Sequence, residues 1–278
     1  MGRVRVEMKI VALAVSLLST AAAPVATWRA LDAQNTLVID TSKGRIVVEM
    51  HPDFAPGSVA RVKLLSRERV YDGLLFHRVL DHFVDQTGNP NNHDGGVSSH
   101  PNLPAEFSTI LQQGQIDTIA AQSRDQFSGF DGVLPFTAAP LHGRLRAWGA
   151  YCAGVVGMGR QEDIHTGNSE IFFMRDPARS LDREYSVWGR VVSGLDVVRA
   201  IAVGEPPAHP DRMVKVRVMA DMPAAEQPRL EVMDTRSAEF ARTVAAVALR
   251  EGAGFSVCDI DVPVRTKDPN EIRMPDHG

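Results

Sequence analysis

An arginine and a glutamine sit within two short apolar strands of the stretch "LFHRVLDHFVDQTGN", residues 75–89. Arg78 sits among Phe76, Val79 and Leu80, and Gln86 follows Phe83 and Val84. A guanidinium stays charged and presents several donors in a fixed fork. A carboxamide both donates and accepts. The chemistry open to such a pair is hydrogen bonding and charge stabilisation beside apolar surface. His77 and His82 also lie in the run. Five residues apart, they fall on opposite faces of a continuous strand, so they read as satisfied or surface histidines, not a metal pair. Cys152 and Cys258 have no CxxC partner, so a zinc or redox motif has no support. The plain reading of the two cysteines is buried thiols; an oxidising compartment would also permit a disulfide.

The elements that must hold these side chains are short. Residues 76–80 and 83–86 read as strands, preceded by the turn "YDG" at 71–73. Upstream, 36–40 and 44–50 flank "TSKG" and form a hairpin signal. In "DFAPGSVARVKLLSRERV", Pro56 suits a first helical turn, and Val59, Val62 and Leu65 recur at helical spacing. Residues 88–105 are turn-rich. Residues 108–147 are an extended insertion whose glycines, prolines and glutamines leave its elements open. Further strands are expected at 151–160, 170–174, 185–192 and 215–221, with a short helix in 194–204. Residues 222–229 have linker composition. Beyond them a helix at 238–250 and a strand at 255–262 are too little to bury a core alone, so this extension is expected to dock on the main domain. Many short strands with two helices argue for a closed antiparallel barrel.

The chain has 278 residues, 44% hydrophobic and 23% charged, with a formal net charge of −4. This is ordinary globular composition. No long basic run is present, which argues against nucleic-acid binding. Arg3, Arg5 and Lys9 precede the apolar stretch "IVALAVSLLSTAAA" at 10–23. The pattern is that of a signal peptide within residues 1–33, with Ala22, Ala23, Ala26 and Ala33 as possible cleavage positions and a retained anchor as the alternative. The expected location is outside the cytoplasm, in the periplasm, with no membrane span in the mature chain.

Five blocks in order, "YDGLLFHRVLDHFVDQTGNP", "LPAEF", "GVVGMGR", "NSEIFFM" and "LDREYSVWGRVVSGLDVV", resemble the cyclophilins, a family of peptidyl-prolyl cis–trans isomerases. The resemblance covers residues 36–221, interrupted by the insertion. It implies a mainly β fold: an eight-stranded antiparallel barrel capped by two helices, here with a long insertion and a small α/β extension at 222–278. It implies that Arg78 is the catalytic group, donating to the prolyl nitrogen as the X–Pro amide twists. It implies that Phe83, Val84, Phe173 and Leu181 line a proline socket. Gln86 would bond substrate backbone, Gly159 and Arg160 would flank the peptide, and Tyr185 would sit over the pocket. Ile171 would stand where most active members have glutamine, and Val84 replaces a larger methionine. No cofactor or metal is implied. The expected partners are unfolded or extended chains with X–Pro bonds, met by a monomer that assists folding of exported proteins. The alternative is a catalytically weak module that binds proline-containing peptides or assembles envelope proteins.

Overall fold

The structure, a computed structural model, describes residues 26–111, 118–122 and 126–267. The apolar leader at 10–23 lies outside them. A short strand, β1 (Trp28–Ala30), leads into the hairpin of β2 (Thr36–Thr41) and β3 (Gly44–Met50). Thr41 Oγ1 accepts the turn amides of Lys43 and Gly44, both at 3.1 Å, which fixes the register of the pair. Helix α1 (Pro56–Arg67) follows, with proline in its first turn. Its free N-terminal amides are satisfied from a distance: Glu106 accepts from Gly57 N at 2.7 Å and Ser58 N at 2.8 Å. Val59, Val62 and Leu65 then face the barrel core.

Strands β4 (Arg78–Leu80) and β5 (Val84–Thr87) carry the opening run. The insertion supplies β6 (Thr109–Leu111), β7 (Thr118–Gln122), β8 (Phe127–Asp131), β9 (Leu134–Leu141) and β10 (Arg144–Gly149). The chain then returns through β11 (Val155–Met158), β12 (Ile171–Met174), β13 (Val187–Ser193), helix α2 (Leu195–Ala200) and β14 (Met213–Val218). The extension adds β15 (Leu230–Met233), α3 (Ala238–Glu251) and β16 (Val264–Thr266).

Eight strands form one antiparallel sheet in the order β14-β2-β3-β13-β11-β12-β5-β4. The expected closed barrel is a curled sheet whose two edge strands are not joined by a ladder. Isolated bridges, Leu75 with Arg212 and Val79 with Gly204, span the seam instead. Phe76 N donates to Asp211 O at 2.9 Å and Met213 N to Leu74 O at 2.9 Å. A strand of three residues is too short to continue the ladder, and these bonds satisfy its edge. Inside lie Leu37, Ile39, Ile46, Val79, Val156, Phe173 and Trp188.

The insertion is a second, five-stranded sheet in the order β6-β10-β9-β8-β7. His142 and Gly143 both have positive φ at the β9–β10 turn, the backbone such a tight hairpin requires. This sheet packs on the outside of the barrel. Phe136 meets Phe54 at 6.0 Å between ring centroids, and Phe130 meets Phe240 of α3 edge-on at 5.2 Å. The extension therefore docks on the insertion as well as on the barrel. It is also tied covalently to the segment between β10 and β11: Cys152 and Cys258 form a disulfide, which replaces the expected pair of buried thiols. The strand expected at 255–262 is a 3-10 turn, Val257–Asp259, closed by a Ser256–Asp259 capping box. Reciprocal side-chain bonds there compete with extended backbone. A third sheet, β1-β15-β16, joins the residues before the barrel to those after it.

Candidate active site

Strand register decides which side chains share a face. Arg78 pairs with Gln86, Gln86 with Phe172, and Phe172 with Gly157. Cross-strand partners lie side by side on one face of a sheet. Arg78, Gln86 and Phe172 thus form a row across β4, β5 and β12. The neighbouring row, Val79, Asp85, Phe173 and Val156, points the other way; its three apolar members are core residues.

The outward row borders a hollow of about 90 Å³, lined by Arg78, Phe83, Val84, Gln86, Gly159, Arg160, Glu170, Phe172, Leu181 and Tyr185. Eight of the nine residues singled out from the sequence are in this lining. The ninth, Phe173, is fully buried inside the barrel against Phe76, 6.2 Å between ring centroids. Phe172 takes the place expected for it. Ile171 likewise is a barrel-core residue. The polar side chain that reaches the hollow from this segment is Glu170, which the sequence reading passed over.

Phe172 is held from three sides. Tyr151 stacks on it at 5.8 Å, Tyr185 meets it edge-on at 5.6 Å, and Gly157 lies beneath. A Cβ on Gly157 would come within 2.2 Å of the Phe172 ring, so the close approach requires glycine. Tyr151 is placed by its own backbone amide, which donates to Asp182 Oδ1 at 2.9 Å. The 3-10 turn Arg179–Leu181 just before Asp182 brings Leu181 to the rim.

The polar side of the hollow is a chain of hydrogen bonds. Arg78 Nε donates to Glu205 and Nη1 to Gln86 Oε1. Gln86 Nε2 donates to Glu170 Oε1 at 2.9 Å. Asn89 Nδ2 donates to Glu170 Oε2 at 2.6 Å. Among the described residues, two of the five guanidinium N–H groups of Arg78 are taken, and the rest can meet a ligand. Arg160 is committed differently. It donates to the carbonyls of Glu184, Gln161 and Glu162 and stacks over Tyr185 at 4.7 Å, fixing the lip between β11 and β12. Gly159 N donates to Glu170 O at 2.8 Å and continues that edge. His82 is fully outside the hollow, against Asp176 at 2.9 Å, and that carboxylate raises its pKa.

The hollow presents an apolar floor of Phe83, Val84, Phe172 and Leu181 with a fixed cation and a carboxamide along one edge. It fits a small ring with an adjoining peptide group. It can orient a peptide and stabilise charge at one atom.

The model of the family described as "Cyclophilin type peptidyl-prolyl cis-trans isomerase/CLD" matches residues 36–218. A probable peptidyl-prolyl cis-trans isomerase of Brucella suis is 32% identical over 213 residues, covering 71% of this chain and 89% of its own length. Peptidyl-prolyl cis-trans isomerase B of Bacillus subtilis is 29% identical over 174 residues, covering 63% of this chain and 90% of its own length. Among solved structures, cyclophilin AquaCyp293 from Hirschia baltica has a TM-score of 0.78 at 30% identity, covering 87% of this chain and 94% of that one. That share exceeds residues 36–218, so the likeness includes part of the flanking segments.

Proposed function

Because the chain belongs to the cyclophilin-type peptidyl-prolyl cis–trans isomerases, we propose that Arg78 is its catalytic group and that its substrates are X–Pro bonds in exported polypeptides. Rotation about an X–Pro amide faces a barrier of roughly 18–20 kcal/mol, because resonance must be broken. As the amide twists, the prolyl nitrogen becomes pyramidal and its lone pair localises. A hydrogen bond donated to that nitrogen favours the twisted form over the planar one, which is the condition for acceleration. The unengaged donors of Arg78 border the floor where a proline ring would sit. Glu205 and Gln86 keep the fork from swinging away. Gln86, held in turn by Glu170, is placed to bond the peptide backbone on one side while the other turns. No bond is made or broken, so the step calls for no nucleophile or general base.

The observation that carries the mechanism is the row Arg78, Gln86, Phe172 along the edge of an apolar hollow. The export reading draws on two others: a basic and then apolar N-terminal segment, and a disulfide, which persists in oxidising compartments. Isomerisation of a short X–Pro peptide, followed by exchange spectroscopy, tests the first part. Arg78→Ala should lower the rate by about 10²–10³-fold, the cost of removing one donor aimed at developing charge. A variant that keeps the wild-type rate would assign the chemistry to other groups. Cell fractionation with N-terminal sequencing tests the second part. A full-length chain confined to the cytosol would rule it out.

A further inference from the structure

His77 precedes Arg78 and is buried, 4% exposed. Among the described residues, neither ring nitrogen finds a hydrogen-bond partner. Yet Nε2 lies 3.2 Å from Asp94 Oδ1 and 3.6 Å from Glu170 Oε2. The nearer oxygen is within hydrogen-bond distance, so what fails is direction: an N–H on that ring does not point at it. A buried polar group without a partner is costly in a folded protein. A cation needs no pairwise alignment among its ligands, because it sits between them.

From this we propose that His77, Asp94 and Glu170 form a site for one divalent cation of the zinc or nickel class. The three donor atoms lie within 4.8 Å of one another. Ligands about 2.0–2.2 Å from a tetrahedral zinc ion stand about 3.3 Å apart, close to both distances from Nε2. One imidazole with two carboxylates suits this class of ion, and three protein ligands leave a fourth position for water. The carboxylates also lack other counter-charge: among the described residues neither pairs with a lysine or an arginine. Asn89, itself buried, donates to Glu170 Oε2 and orients that carboxylate, the usual task of a residue one shell behind a metal ligand. Asp94 comes from the turn-rich segment and is 69% exposed at its side chain, so the ion has an entry path.

The site touches the proposed chemistry through one residue, and this half of the inference rests on that reading. Glu170 faces the ion with Oε2 and accepts from Gln86 with Oε1. A cation on Oε2 withdraws charge from the carboxylate and weakens its hold on Gln86, which also fixes Arg78. Bound metal therefore slows isomerisation.

Calorimetric titration of zinc chloride into the full chain, repeated with nickel chloride, tests the site without reference to activity. Wild type should bind one ion. Asp94→Ala, a change at an exposed turn, should bind about tenfold or more weakly with unchanged thermal unfolding in metal-free buffer. His82→Ala, which removes the exposed histidine beside Asp176, should bind as wild type does. Equal binding by wild type and Asp94→Ala, or no binding by wild type, overturns the site. Peptide isomerisation with and without zinc tests the coupling. Slowing in wild type but not in Asp94→Ala supports it. A bound ion with an unchanged rate overturns the coupling and leaves the site standing.

Discussion

Replacing Cys258 by serine opens the bridge to Cys152, a loop closed over 106 residues. Within that loop lie β11 to β14, α2, β15 and α3, which is half of the barrel sheet and most of the extension. In the chain-entropy treatment, a crosslink over this separation removes about 16 cal/mol/K from the unfolded ensemble, or about 4.8 kcal/mol at 25 °C. Native disulfides commonly deliver about 2–5 kcal/mol. The upper part of that range is expected here if barrel and extension unfold together. Their contacts favour this: Phe240 of α3 packs on Phe130 of the insertion, whose neighbour strand places Phe136 on Phe54. Urea unfolding is the assay, comparing oxidised wild type, reduced wild type and Cys258→Ser. Tryptophans report from both bodies, Trp188 inside the barrel and Trp28 in the small sheet. Both less crosslinked forms should unfold at lower urea in one transition. In thermal scans they should melt roughly 10–20 °C below the oxidised chain. A loss below about 1 kcal/mol would refute the loop-entropy argument. Two separate transitions, Trp28 first, would refute the premise that the extension and barrel behave as one unit.

The remaining predictions concern the hollow and the response to acid. Gly157→Ala drives a methyl into the Phe172 ring and within 2.7 Å of Tyr151 Oη. Displacing the hollow's floor by about 1 Å should lower peptide turnover about 10²-fold, and overpacking should cost about 1–3 kcal/mol in urea unfolding. Full activity in that variant would mean that Phe172 does not shape the substrate site. His51 is buried beside Arg29, and burial first, then that cation, lowers its pKa to about 3. Its folded value is below the unfolded one, so stability is full above about pH 6.5 and falls as the unfolded chain takes up a proton. Between pH 6.5 and 4.5 the loss from this group is about 2.3 kcal/mol. His51→Gln should flatten that part of the stability profile, and an unchanged slope would exclude His51 as its source.

The sequence placed most of the lining because five blocks preserve their order around a common row of strands. It misplaced one strand by one residue, for a physical reason. All four residues of β12 are buried. An alternating strand states which face is which, but a strand buried on both faces carries no such phase. Two consecutive phenylalanines add to the ambiguity. A slip of one residue then exchanges Phe172 for Phe173 and Glu170 for Ile171. The information that settles it is tertiary: Phe172 pairs with Gln86, and Phe173 with Asp85. The insertion was illegible for a related reason. Pro135 and Pro140 lie within β9, and Gly129 within β8, where a Cβ would meet the Thr118 carbonyl at 2.1 Å. Such residues read as breakers until the neighbouring strand is present. The disulfide could not be read from two lone cysteines, because their meeting depends on how the insertion and the extension pack.

Strand β1 pairs with β15, Trp28 opposite Met233. Those partners are 205 positions apart, so the ladder cannot begin until the chain has been made past residue 230. During synthesis, β1 is made before every other described strand and is among the last to find its neighbour. Any chain cut short before residue 230 leaves β1 with an unpaired edge, whatever the state of the barrel. The small sheet thus works as a clasp across sequence: it closes only on a chain that carries residues 28–30 and 230–233 together, and a copy lacking the later strand shows an open edge to proteases and to other sticky edges.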